Sequence, residues 1–238
     1  MIHGNKDYKK RDFAKAKEWY LKCIAKDDKY LSAYNNLGLL FSNKSNPSLN
    51  YDQSKGYFDK AIEIDNNFGK AHNNLGVLYH TDEYEGYNLE KSLDCYETAI
   101  DVMHEYAIAH YNLANLLLMM ETKKGGSDEK TEMSQKLVMK CLQNYLELVP
   151  DDDDAKKMMK ETKDKMNGTL MESISYLEKY IKLQPMDTKS KETLDGLKKR
   201  IANEEHRTYK EVKAEYHFFL STGAAKSERE YIRRSSLI

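Results

Sequence analysis

Along the first hundred residues, small and aromatic side chains return at helical spacing and again at a longer fixed period. Ala16, Ser54 and Ser92 are each followed four residues later by Tyr20, Phe58 and Tyr96, and three residues after that by Cys23, Ala61 and Ala99. Such positions share one face of an α-helix. A small residue there lets a second helix axis come close, and the ring fills the groove beside it. A second pattern alternates with the first: Ala33-Tyr34-Asn35-Asn36-Leu37-Gly38, Ala71-His72-Asn73-Asn74-Leu75-Gly76 and Ala109-His110-Tyr111-Asn112-Leu113-Ala114, each copy 38 residues after the last. Together they predict a unit of two paired helices repeated along the chain. One helical hairpin cannot bury its apolar face alone, so a period in this range implies a stacked array.

Local signals place the helix ends. The first helix of a unit is expected to end near Phe41 or Tyr79, and the second to start near Asn50 or Asn88. Asp12, Asn50 and Asn88 stand where an N-cap side chain satisfies free backbone amides. The connectors from Ser42 to Leu49 and from Thr81 to Tyr87 are polar and carry Pro47 and Gly86. Beyond Pro150 the pattern decays. Asp151 to Asp154 predict the cap of a helix from about Ala155, and Asn167-Gly168 predicts a break. Ser173, Leu177 and Tyr180 repeat the second-helix pattern, and Lys189 to Ile201 reads as one more first helix that continues toward Leu220. The stretch from Glu121 to Glu132, with Gly125-Gly126, is expected to be a loose connector. The expected domains are well-matched repeats over 1–150, degenerate terminal repeats and a C-terminal helix over 151–220, and a flexible tail over 221–238.

These residues carry a resemblance. Leu75-Gly76-Val77-Leu78-Tyr79 in the first helix, and small-x-x-x-aromatic-x-x-Ala in the second, resemble tetratricopeptide repeats, whose usual length is about 34 residues. The 38-residue step and the run Lys15-Ala16-Lys17-Glu18-Trp19-Tyr20-Leu21-Lys22 are similar to the related Sel-like repeat. Gly4 aligns with Gly38 at a step of 34, so the first unit is shorter. The resemblance implies an all-α, right-handed α-α superhelix of about five to six hairpins. It further implies that the first helices line a concave surface on which a partner protein or peptide binds.

Composition narrows this picture. The 38 basic and 39 acidic residues nearly cancel, so the overall charge gives no drive toward nucleic acid or an anionic membrane. The longest apolar stretch, Leu113 to Met120, is interrupted by Asn115 and is too short to span a bilayer. Cys23, Cys95 and Cys141 are odd in number and widely spaced, which fits reduced thiols and an intracellular, cytoplasmic setting. No phosphate-cradling glycine loop, HExxH, GxSxG or cysteine–histidine metal spacing occurs. His72 and His110 share the repeat position of Tyr34 and read as packing or surface residues. The aspartates of 151–154 lack the spacing of a calcium loop. The expectation is a chain without catalysis, cofactor or metal.

The candidate binding residues follow from the repeat. Asn36, Asn74 and Asn112 fall at one position of three successive first helices, with Asn5 near the equivalent point of the first unit. A carboxamide both donates and accepts, so a column of them can pair with the backbone of an extended peptide. Such a column resembles the asparagine ladders of the O-GlcNAc transferase and kinesin light chain repeats. The same amides can instead bond to a neighbouring helix. Asn73, Tyr111 and Lys70 lie beside the column and complete the set.

Gly4-Asn5, Asn36 and Gly69-Lys70 also resemble three of the five positions of the carboxylate clamp in chaperone-binding relatives, but Met1 and Asn74 stand where that clamp has cations. At the C-terminus, Arg233-Arg234-Ser235-Ser236-Leu237 resembles a kinase site with Ser236 as acceptor. Ser236-Leu237-Ile238 resembles a PDZ-type ligand. The functional expectation is an interaction adaptor, with a permanently embedded structural subunit or a clamp-type co-chaperone as alternatives.

Overall fold

The computed structural model describes residues 2–124, 128–183 and 188–221. Met1, Gly125-Gly126, the 221–238 tail beyond Ser221, Ser236 and the PDZ-like terminus therefore lie outside the described residues. Among those described there are eleven helices and no strand. They divide into two compact units, 1–116 and 117–238.

The first unit is built from paired helices. α1 (Ile2–Lys9) pairs with α2 (Phe13–Lys26), α3 (Leu31–Ser42) with α4 (Tyr51–Ile64), and α5 (Gly69–Tyr79) with α6 (Leu89–Val102). α7 (Ala107–Lys124) follows. The predicted caps form: Asp12 accepts from the Lys15 amide at 3.2 Å, Asn50 from Gln53 at 2.8 Å and Asn88 from Lys91 at 2.8 Å. Each spares one amide that the helix start would leave unpaired.

Within each pair the closest approach falls on the glycine of the first helix. A Cβ added at Gly38 would lie 2.3 Å from the Phe58 ring, and one at Gly76 would lie 2.8 Å from Tyr96. Both rings are buried, so neither can swing aside. The small residue of the second helix does more than make room. Ser54 donates to the Gly38 carbonyl and Ser92 to the Gly76 carbonyl, both at 2.8 Å. The contact is therefore a packed joint locked by a buried hydrogen bond.

The connectors are ordered turns rather than slack chain. The amides of Asn43, Asn46, Leu49 and Asn50 bond to the carbonyls of Leu40, Asn43, Asn46 and Phe41. Thirty-eight residues on, Thr81, Tyr84, Tyr87 and Asn88 bond to Leu78, Thr81, Tyr84 and Tyr79 in the same order. Buried Asn46 and Tyr84 plug the two turns at equivalent positions, and the Asn46 amide donates to the Leu40 carbonyl at 2.8 Å.

In the second unit, α8 (Asp128–Leu148) packs on α9 (Asp153–Leu183), α9 on α10 (Thr188–His206), and α11 (Tyr209–Ser221) on α8. Ser134, Val138 and Cys141 are buried at the small, aromatic and alanine positions of the second-helix pattern. Val138 in place of a ring, and a step of 42 rather than 38 from Ser92, disguise the match.

Three expectations change here. The helix read from Lys189 toward Leu220 is two helices, α10 ending at His206 and α11 starting at Tyr209. Asn167-Gly168 does not break the chain, because α9 runs through it for 31 residues. A glycine inside a helix costs only about 1 kcal/mol, which packing against two other helices offsets. The Glu121 to Glu132 connector is also mostly helical, since α7 reaches Lys124 and α8 starts at Asp128. The aspartate cap forms as expected: Asp152 accepts from the Ala155 amide at 2.9 Å, and the Tyr145 hydroxyl donates to its other oxygen at 2.6 Å.

Candidate functional site

The first helices present a column of carboxamides, and the column is hydrogen-bonded from unit to unit. The Asn36 amide on α3 donates to Asn5 Oδ1 on α1 at 3.0 Å. Asn74 on α5 donates to Asn35 on α3 at 2.8 Å, and Asn112 on α7 donates to Asn73 on α5 at 3.0 Å. Asn73 passes the chain on, donating to Asn74 Oδ1 at 3.3 Å. Each Nδ2 thus reaches toward the preceding unit, and an unbroken relay runs Asn112 to Asn73 to Asn74 to Asn35. At the amino-terminal end Asn5 Oδ1 also accepts from the Tyr20 hydroxyl at 2.9 Å. Burial pushes the Tyr20 phenol up to about 12, so it stays a donor.

Asn5 and Asn36 are brought together, as are Asn73, Asn74 and Asn112. Asn35 and Asn73 are buried, whereas Asn36, Asn74 and Asn112 are half-buried and Asn5 is exposed. Asn35 was not among the expected site residues. The doublets Asn35-Asn36 and Asn73-Asn74 are the sequence signal for it: the first member accepts from the second member of the next doublet, at a 39-residue offset. Tyr111 takes the doublet's first position on α7 and is half-buried, and its carbonyl accepts from the Asn115 amide at 3.0 Å. Lys70 is exposed at the start of α5.

Charge is sorted between the two helix sets. α3 carries no charged residue, α5 carries Lys70 as its one lysine or arginine and no acid, and α7 has no acid before Glu121. α4 and α6 hold Asp52, Asp59, Glu63, Glu90, Asp94, Glu97 and Asp101. Along α3, α5 and residues 107–116 of α7 the amide face is therefore close to neutral with a single ammonium, whereas α1 adds Lys6, Asp7 and Lys9 around Asn5. Apolar side chains stand open on the same helices: Val77 is 39% exposed and Ile108 54%.

The histidines divide into two kinds. Tyr34 donates to the Asp28 carbonyl at 3.0 Å, and His72 Nε2 and His110 Nε2 meet the carbonyls of Asn66 and His104 at 2.9 and 3.0 Å. These bonds close equivalent turns 38 residues apart, so the two imidazoles do the work of a tyrosine hydroxyl. A carbonyl can only accept, which places the proton on Nε2 in both. His80 differs. Its Nδ1 faces the Tyr96 hydroxyl at 2.8 Å and Ser92 Oγ at 3.4 Å. Burial lowers its pKa, opposed by Asp82.

No group of three metal-binding side chains occurs among the described residues. No disulfide joins Cys23, Cys95 and Cys141, and burial pushes the Cys95 thiol up to about 12, which suppresses its thiolate. No described helix is long and apolar enough to cross a membrane.

No family model and no curated protein matches the chain. Solved structures do. The MamA protein is 18% identical over 78% of this chain and 90% of its own, with a TM-score of 0.51. YrrB, described as a TPR protein with an unusual peptide-binding site, is 21% identical over 84% of this chain and 92% of its own, again at 0.51. A Sel1 repeat protein from Oxalobacter formigenes is 20% identical over 75% and 70%, also at 0.51. At such identities the likeness is one of fold, and the chain has the all-α repeat fold of tetratricopeptide and Sel1-like proteins.

Proposed function

We propose that the chain is a non-catalytic protein-interaction scaffold, and that its first helices bind an extended segment of a partner along the amide column. The observation that carries this reading is the column itself. Cross-unit bonds use one N–H of each donor and leave Asn74 and Asn112 half-exposed. A carboxamide has two N–H groups and two acceptor sites, so the fixed amides keep capacity for a ligand backbone. Holding them in a relay lowers the entropy that a ligand must offset on binding. The absence of acids from α3, α5 and the first part of α7, together with Lys70, favours a neutral or acidic segment there. YrrB, described by its peptide-binding site, supplies a precedent for this use of the fold.

The exposure of Val77 and Ile108 favours a second reading, a subunit held permanently in a larger assembly, because obligate interfaces are the more apolar ones. The experiment is to identify partners by affinity capture and mass spectrometry, then titrate a labelled partner segment. Asn36→Ala, Asn74→Ala and Asn112→Ala together should weaken binding well beyond the several-fold loss of each alone, at about 0.5–1.5 kcal/mol per bond. Binding is measured below the melting transition of the variant, with helicity checked in parallel. Unchanged affinity of a folded triple variant, with loss on Val77→Asp, would overturn the column reading and establish the apolar one.

A further inference from the structure

The third hairpin contains a joint that the other two lack. Tyr96 is fully buried against Gly76, and its hydroxyl meets His80 Nδ1 at 2.8 Å. His80 is the C-cap residue of α5, its own amide bonded to the carbonyls of Gly76 and Leu78. Ser92, bonded to the Gly76 carbonyl, is the third member. In the first hairpin the equivalent ring, Tyr20, donates to Asn5, a carboxamide that does not titrate. In the second hairpin the ring is Phe58 and needs no acceptor. Only the third hairpin hangs its ring on an imidazole.

We propose that His80, Tyr96 and Ser92 form a proton-operated joint that holds α5 on α6 at neutral pH and loosens on acidification. With His80 neutral, the phenol donates to Nδ1 and the ring proton sits on Nε2. A proton on Nδ1 turns that acceptor into a donor, so the phenol must reverse its bond inside a packed contact. It also leaves a cation beside a fully buried ring. The other histidines with ring bonds to carbonyls, His72 and His110 through Nε2 and His104 through Nδ1, act as donors in those bonds, so none of them offers its bonded nitrogen as the acceptor that His80 does.

The surrounding charges are few. Asp82, on the connector after α5, is the acid whose charge acts on His80, and it favours protonation. α6 brings Tyr96, Ser92 and Lys91, whose ammonium lies over the Tyr79 ring at 5.5 Å. α4 brings Lys55 and Asp59, which pair with each other at 2.5 Å and act on Tyr79. α3 brings no charged group, and residues 107–116 of α7 bring only His110. Burial outweighs Asp82, so His80 stays neutral further into acid than an ordinary imidazole. Because α5 also carries Asn73 and Asn74, loosening the joint disturbs the relay at its centre.

The test needs no partner. In the intact chain, the His80 ring proton is followed by NMR from about pH 8 to about pH 5, together with the side-chain amide signals of Asn73 and Asn74. The expected result is a His80 midpoint below the ordinary 6.5, with both amide signals moving at that same midpoint. Tyr96→Phe, which the second hairpin shows to be compatible with the packing, should raise the midpoint toward 6.5 and uncouple the amides. His80→Gln, which keeps an acceptor, should abolish the pH dependence of the amide signals. A wild-type midpoint at or above 6.5, or amide signals that titrate unchanged in His80→Gln, would overturn the proposal.

Discussion

Residues 1–116 and 117–221 use the same kinds of helix, yet they differ in what repeats. In the first unit the hydrogen bonds recur along with the hydrophobic pattern. Ser54 and Ser92 lock equivalent glycine carbonyls, Tyr34, His72 and His110 close equivalent turns, and eight connector bonds recur in register. In the second unit the apolar positions persist at Ser134, Val138 and Cys141 while α9 fuses what the pattern would divide. Apolar spacing alone tolerates drift, because dispersion and burial are not directional. A buried polar bond does not, since an unmet group costs about 1–3 kcal/mol. Strict periodicity in the first unit follows from its polar contacts.

The sharpest way to break this contrast is a matched pair of glycine substitutions. Gly76→Leu drives a branched side chain into the buried Tyr96 ring and should cost at least about 1–3 kcal/mol, the range for overpacking. Gly196, inside α10, has nothing within 4 Å of an added Cβ. Gly196→Ala should leave stability unchanged or raise it by about 0.5–1 kcal/mol, because the unfolded chain loses freedom. Urea denaturation measures both, and equal losses would erase the distinction between the units.

Smaller effects sharpen it. Ser92→Ala should cost about 1 kcal/mol by removing a buried hydrogen bond to the Gly76 carbonyl, which keeps the His80 amide as its other donor. Asn74→Ala should cost a similar amount in thermal or urea melts, because it leaves the buried Asn35 oxygen without its donor. A melt unchanged by Asn74→Ala would mean that the relay adds nothing to the stack.

Acid should separate the helix starts capped by a carboxylate from those capped by an asparagine. Asp152 is held below its ordinary 3.8, first by the Tyr145 hydroxyl and then by the Ala155 amide. Glu211 is held below its ordinary 4.5 by the Thr208 amide and hydroxyl, in a reciprocal cap at the start of α11. A depressed carboxyl contributes its stability in full above its ordinary value and loses it as the pH falls through the folded one. The amide signals of Ala155 and Thr208 should therefore shift below about pH 4.5, while those of Gln53 and Lys91, capped by asparagines, stay put. The smallest expected effect is that of Lys44→Ala. Its pair with Glu83 is exposed on both sides, and no change in melting should be seen.

Much of the fold could be read before any coordinate. The caps at Asp12, Asn50 and Asn88, the glycine–ring contacts and the paired helices all follow from short-range spacing. What escaped was the offset of the asparagine bonds, because equivalence at 38 residues does not reveal a donor–acceptor step of 39. The continuity of α9 escaped too: a local breaker was outweighed by packing that no window of sequence displays. The role of His80 was hidden for another reason. Its partner is Tyr96, which spacing assigns to groove filling, and nothing in the pattern distinguishes a ring with a titratable acceptor from one without.

The recurrence of the serine–glycine and turn bonds has a consequence for engineering. The segment from Tyr51 to Asn88 is 38 residues long, and it starts and ends just after a capping asparagine. A tandem copy inserted there would offer the incoming Asn74 an Asn73 oxygen, the acceptor that Asn112 uses now, and the incoming His72 its own turn carbonyl. The segment is a ready-made cassette: an array could be lengthened one hairpin at a time, with the original His80 then set against the copy's Phe58 in place of Tyr96.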